Sequence, residues 1–277
     1  MGNLFEDLGP ANAAGAQSAA VRQFFTAASW VEGESLRQLE EASALCGMIS
    51  LAAFPDLHPG KYGPVGMAAL SERLYPQLIG NDIGCGMALF ELDLPLRKFR
   101  IDKAAEQLHT LEEAELDDPG ETLEEAGLSP DLFAGSLGTI GGGNHFCEVQ
   151  GVADILSDDA GVDRQRLYLL VHSGSRGLGA MTFRETIEEH GALPQGLEPG
   201  TQAAVDWLLD HNTAVEWAAL NRRMIAERAA RTLRTDVRLI TDVPHNLVRM
   251  TDDGAVHYKG AAAISDGMLA PVAGSRA

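Results

Sequence analysis

The sequence has no apolar run long enough to cross a bilayer. The longest stretches, such as the one around "LYLLVH" (Leu167 to His172), fall far short of the roughly 20 residues a spanning helix needs. The first residues also lack the basic and then apolar pattern of a secretory signal. Cysteine is scarce: Cys46, Cys85 and Cys147 are an odd number at no disulfide-like spacing, as in a reducing compartment, and each thiol is left for metal or packing. These absences point to a cytoplasmic protein with no membrane partner. Basic residues are also few, 21 against 40 acidic ones, and the formal charge of −19 repels nucleic acid at long range, which excludes indiscriminate binding to phosphate backbones.

What is present is the composition of an ordinary globular protein. At 277 residues and 45% hydrophobic, the chain can bury a substantial core, and with no internal repeat or low-complexity linker it reads as one compact domain. Its charge is uneven. Eight carboxylates lie between Glu112 and Glu125, whereas Arg222 to Arg238 holds six arginines against Glu227 and Asp236, a face that could accept a polyanion.

The apolar spacing predicts a helix over "SWVEGESLRQLEEASAL" (Ser29 to Leu45), capped by Ser29, with Leu36, Leu39 and Ala42 on one stripe. The prolines of "FPDLHPGKYGPVG" (Phe54 to Gly66) predict a loop. The acidic stretch reads as a helix, a turn at Pro119-Gly120 and another short helix. A buried strand runs into a glycine turn over "RLYLLVHSGSRGLG" (Arg166 to Gly179). Thr201 to Leu233 is helical, with Leu208, Val215, Ala218, Ile225, Ala229 and Leu233 on one face and His211 and Arg222 interrupting it. "VRLITDVPHNLV" (Val237 to Val248) reads as strand, then loop.

Four glycine or proline turns each present a potential metal ligand beside an apolar segment: Asp82 and Cys85 in "NDIGCGM", His145 in "GTIGGGNHFCEV", His172 in "VHSGSRG" and His245 in "VPHN". A thiolate has lone pairs enough to bridge two cations. Imidazoles with one carboxylate and one thiolate suit manganese, zinc or cobalt better than calcium. The consecutive glycines before Asn144 and His145 let a phosphate or cation approach the backbone.

These four motifs, in this order, with "PDLHPGK" and "HYKGA" in support, resemble the RtcB family of RNA ligases over almost the whole chain, and the wording of "WVEGESLRQLE" and "PDLHPGK" is similar to the branch associated with a peptide release factor homologue. The resemblance implies an α+β fold of mixed β-sheets flanked by helices around a central dinuclear metal cleft. It implies a GTP- and manganese-dependent ligase that joins an RNA 2′,3′-cyclic phosphate or 3′-phosphate end to a 5′-hydroxyl end through a guanylylated histidine. By the same resemblance, Asp82, Cys85 and His145 hold one Mn2+ ion, and Cys85, His172 and His245 the second. Asn144 and Glu148 contact the guanylate, Ser275 of "AGSR" lines the guanine pocket, and Arg176 meets an RNA phosphate.

The family's nucleophilic histidine, in an "HGAGR"-like motif, is absent from residues 1–277, and Tyr258 stands where the family usually carries arginine. The expectation is therefore a single RtcB-like catalytic domain over 1–277, lacking the family's C-terminal segment and incomplete as a ligase. His211 and His257 are the two histidines to check as substitutes. The alternatives are a non-ligating protein that binds metal and guanine nucleotide, and a metal-dependent phosphoesterase acting on RNA ends.

Overall fold

The computed structural model describes residues 18–26, 28–109, 111, 116–157, 161–191 and 193–272. In chain order the elements are β1 (Ala20–Gln23), α1 (Gly33–Ser43), β2 (Met48–His58), β3 (Val65–Ser71), α2 (Pro76–Ile79), β4 (Gly86–Pro95), α3 (Ile101–His109) and α4 (Pro119–Glu125). They continue with β5 (Phe146–Gly151), β6 (Arg166–Ser173), α5 (Gly177–His190), α6 (Gln202–Leu233), β7 (Val237–Pro244), β8 (Asn246–Thr251) and β9 (Gly254–Lys259). This is the expected mixture of helices and sheets. Among the described residues no helix is long and apolar enough to cross a membrane.

The chain falls into two compact units. The first comprises Met1–Gly84, Gly179–Ala214 and His245–Ala263, and the second Cys85–Leu178, Val215–Pro244 and Ile264–Ala277. The first unit is built on a five-stranded sheet of order β1-β2-β3-β9-β8, with β1 parallel to β2 and the other pairs antiparallel. Alternation along β2 and β3 turns Leu51, Ala53, Met67 and Ala69 toward α1, where Leu39 and Ala42 close the core.

The second unit holds an antiparallel four-stranded sheet of order β5-β6-β4-β7. Ala88, Phe90 and Leu92 of β4 and Leu167, Leu169 and Val171 of β6 share one face, packed against Ile225, Ala226, Ala229 and Ala230 of α6. By the two-residue period of a strand, Cys147 and Val149 of β5 join this core, while Phe146, Glu148, Met87 and His172 lie on the opposite face.

Several expectations shift. The N-cap of α1 is Glu32 rather than Ser29, and Leu36 is exposed, because the buried stripe runs instead through Ser35, Gln38, Leu39, Ala42 and Ser43. Gln38 earns that place by gripping Gly60 through both amide atoms, at 3.0 and 3.1 Å. The loop expected over Phe54 to Gly66 is strand as far as His58: Pro55 sits where the β2–β3 register shifts between Ala53 and His58, so its missing N–H breaks no ladder bond there. Pro119 and Gly120 open α4, with Asp118 accepting the Glu121 N–H at 3.1 Å, so they are a helix start rather than a turn between helices. After β7 no loop intervenes: His245 alone separates it from β8. The strand ending in the Ser173 turn and the long helix ending at Leu233 match expectation.

Candidate metal centre

In the second unit, Gly86 is the first residue of β4 and pairs with both Ser173 and Pro244. A Cβ there would lie 2.6 Å from the Pro244 Cα, so only glycine lets β7 come this close beside Cys85. Cys85 is 4% exposed, and its Sγ lies 3.4 Å from His145 Nε2 and 3.3 Å from His172 Nε2. The two imidazoles meet edge to face, centroids 5.2 Å apart. His172 Nδ1 is 2.9 Å from the Asn144 carbonyl oxygen, which can only accept. The proton therefore sits on Nδ1, and the Nε2 lone pair faces the sulfur.

This spacing fits a borderline divalent ion. Thiolate and imidazole ligands at about 2.3 and 2.0 Å from a tetrahedral ion stand about 3.5 Å from each other. Sulfur and nitrogen already lie near that separation, and both Cys85–His145 and Cys85–His172 belong to donor sets able to hold a cation. Cys147, by contrast, packs into the core, and burial pushes its thiol up to about 12, so it stays protonated.

Asp82 and His245 belong to the first unit. There Asn246 Nδ2 donates to the Asp82 carbonyl at 3.3 Å, the Gly84 N–H donates to the Asn246 carbonyl at 2.8 Å, and the Ala261 N–H donates to the His245 carbonyl at 3.3 Å. Asn246 thus ties the turn carrying Asp82 to the start of β8. One peptide bond, Gly84–Cys85, and another, Pro244–His245, carry the chain from this staple to the strand ends that pair at Gly86 and Pro244.

Of the other expected residues, Asn144, Glu148 and Arg176 lie in described parts of the second unit. Asn144 and Glu148 are exposed, and Glu148 shares the His172 face of the sheet and accepts from Gln150 at 2.8 Å. Arg176 adopts a left-handed backbone, φ +56°, and its Nε donates to Thr139 Oγ1 at 3.2 Å. Its guanidinium fills the space that a Cβ at Gly141 would take, 1.9 Å from Nη1, so one of the glycines of the triplet serves this arginine. A cavity of about 460 Å3 opens beside His145, lined by Leu108, Thr139, Ile140, Phe146 and Cys147 among others. Ser275 lies outside the described residues.

Neither substitute histidine is placed for chemistry. His211 and His257, both in the first unit, are 1% and 0% exposed. The Val248 N–H donates to His211 Nε2 at 2.9 Å and the Tyr75 N–H to His257 Nε2 at 2.8 Å. Burial pushes both down to about 4, so they are neutral acceptors inside the fold. Four of the six arginines of that face pair with carboxylates, Arg222 with Asp242, Arg223 with Glu227, Arg231 with Asp117 and Arg238 with Glu91, and Arg228 donates to the Gly138 and Leu111 carbonyls.

Lys259 was missed in the sequence. It is 6% exposed, its Nζ would lie 3.1 Å from a Cβ at Gly80, and burial pushes it down to about 8; no carboxylate pairs with it among the described residues. Its signal was the alternation of β9, which turns Ala255, His257 and Lys259 inward together.

A sulfur and two imidazole nitrogens that converge in this α+β chain form a candidate site for a divalent metal. A family model described as tRNA-splicing ligase RtcB matches residues 38–126 and 131–275. The chain is 39% identical to RNA-splicing ligase RtcB2 of Escherichia coli, over 91% of this chain and 69% of that protein. It is 24% identical to tRNA-splicing ligase RtcB of Archaeoglobus fulgidus, over 83% of this chain and 65% of the relative. With RNA-splicing ligase RtcB homolog 1 of Entamoeba histolytica it shares 26% identity, over 82% and 59% respectively. The chain belongs to the RtcB family of RNA-splicing ligases, and it spans about two thirds or less of the length of these relatives.

Proposed function

We propose that this chain carries the metal centre of an RNA ligase that depends on GTP and manganese and joins a 2′,3′-cyclic phosphate or 3′-phosphate end to a 5′-hydroxyl end. The observation that carries the reading is one buried sulfur within 3.3 and 3.4 Å of two imidazole nitrogens in a chain of the RtcB family. In this reading Asp82, Cys85 and His145 hold one ion and Cys85, His172 and His245 the other, and residues 1–277 act as one catalytic domain. The bound ions would draw charge from phosphate oxygens and favour the ionised nucleophile, and GTP would supply the activating guanylyl group.

The chain's own residues do the rest. Cys85 would belong to both donor sets, and the Asn144 carbonyl, by accepting from His172 Nδ1, would keep Nε2 as that residue's ligand atom. Arg176, which has no carboxylate partner among the described residues, offers its guanidinium to an RNA phosphate beside the glycine turn. Asn144 and Glu148 face the guanylate, and Ser275 lines its base. With Arg222, Arg223 and Arg231 of α6 paired to carboxylates and Arg228 buried against backbone carbonyls, substrate is held by local contacts at the site and not by a broad basic surface. We place the protein in the cytoplasm and infer a functional link to a peptide release factor homologue from the wording of its N-terminal motifs.

A second reading, a metal-dependent phosphoesterase or a non-ligating nucleotide-binding protein, is favoured by the burial of His211 and His257, which leaves neither as a nucleophile. Intact mass after incubation with manganese and GTP, followed by RNA bearing the two end types, separates them. A guanylate adduct and a joined product support ligation. Hydrolysed cyclic ends with no need for GTP support the phosphoesterase and overturn the ligase reading, whereas bound nucleotide with neither adduct nor hydrolysis supports the non-ligating protein.

A further inference from the structure

Asn221 of α6 has no part in the chemistry proposed above, yet it is 0% exposed and its amide engages two separate segments. Its Oδ1 accepts the Gly138 N–H at 2.7 Å, while Nδ2 faces the Thr139 carbonyl at 3.1 Å, the Ser173 hydroxyl at 3.1 Å and the Gly174 carbonyl at 3.3 Å. Ser173 in turn donates to the Ile140 carbonyl at 2.8 Å. The adjacent Arg222 donates to the Ser173 carbonyl at 2.9 Å and grips both oxygens of Asp242 at 2.7 and 3.0 Å.

Two amide hydrogens serve three acceptors here, which is possible only while the turn at residues 138–140 and the strand end at residues 173–174 keep one register. The first segment leads to His145 five residues beyond Ile140, and the second follows directly on His172. Packing alone does not call for an amide at this place. The same helix presents Ile225, Ala226 and Ala229 to the core, and a buried amide favours a structure only when every partner is fixed.

We propose that Asn221 is a positioning residue for the metal centre: its buried amide clamps the glycine turn to the end of β6 and thereby sets the spacing of His145 and His172 about Cys85. The inference rests on the reading of those three residues as metal ligands. Its test uses the full chain and two readouts. One is titration with cobalt, followed by the absorption of the thiolate–cobalt bond. The other is the tautomer of His172 in the metal-free protein, from nitrogen NMR of the imidazoles. Neither readout is enzyme activity.

Asn221→Ala is expected to weaken cobalt binding by about 10-fold or more and to mix the His172 tautomers. Ser173→Ala should act in the same direction by less, and the double variant should lose less than the sum of the two. Trp217→Phe serves as the control, because Trp217 is as deeply buried one turn earlier and donates to the Leu132 carbonyl at 2.9 Å. It should lower the melting temperature without moving either readout. Equal cobalt affinities for Asn221→Ala and wild type, or equal losses for Asn221→Ala and Trp217→Phe, overturn the proposal. If Asn221→Ala does not fold, Asn221→Ser and Ser173→Ala decide by the same criteria. If wild type takes up no cobalt, the metal reading fails, and the tautomer comparison alone decides whether Asn221 positions His172.

Discussion

His211 and His257 in the first unit and His145 and His172 in the second are the same side chain put to opposite uses. In the first unit each ring is sealed in and accepts a backbone N–H at 2.8 or 2.9 Å, so its lone pair is already committed to the fold. In the second, His172 gives its Nδ1 proton to a carbonyl, and two Nε2 atoms converge on one sulfur. What distinguishes them is the partner that meets the ring nitrogen: a backbone amide makes the imidazole a strut, and a sulfur at ligand spacing makes it a candidate metal ligand.

The sharpest way to break this comparison is to exchange the fates of the two groups. Cys85→Ala is expected to abolish divalent metal binding, weakening it by at least about 100-fold, as read by isothermal titration with manganese or cobalt. His257→Gln should leave that affinity within a factor of about 3 while lowering stability. A fall in metal affinity for both variants would erase the distinction.

The second test is pH. A histidine held near 4 in the fold and near 6.5 when unfolded binds its proton more tightly in the unfolded chain, so its contribution is fully present above about pH 6.5 and is lost as pH falls toward 4. Each of His211 and His257 should account for about 3 kcal/mol of lost stability by pH 4. Urea unfolding from pH 7 to 4 measures the slope, and His257→Gln should remove about half of the histidine share.

Effects of equal or smaller size follow in the second unit. Arg222→Met leaves Asp242 without its bidentate partner and should cost about 3 kcal/mol in urea unfolding, with no rescue by Arg222→Lys, whose ammonium cannot reproduce the fork. Gly86→Ala puts a methyl 2.6 Å from the Pro244 backbone, which cannot swing aside as a side chain could. It should cost about 1–3 kcal/mol and disturb the cobalt absorption of the adjoining Cys85.

Periodicity made the buried β6 strand and the long α6 legible in the sequence, because both carry their signal over many residues. It did not reveal Pro55 inside β2, since the register shift that tolerates it depends on β3, a partner no local pattern contains. Nor did it show that Leu36 faces solvent while Gln38 is buried, a choice made by the Gly60 backbone 22 residues away. At the site, ligand-type residues beside glycine turns mark Cys85, His145 and His172 in the sequence itself. The proton on His172, the inward turn of Lys259 and the clamp of Asn221 depend on contacts between segments far apart in the chain, and single-sequence spacing holds no record of them.

Zinc-edge X-ray absorption on the metal-loaded chain tests the central claim most directly. The account requires a sulfur scatterer at about 2.3 Å together with imidazole nitrogens at about 2.0 Å, and loss of the sulfur shell in Cys85→Ala. A bound ion surrounded only by nitrogen and oxygen, or a spectrum that Cys85→Ala leaves unchanged, would contradict it.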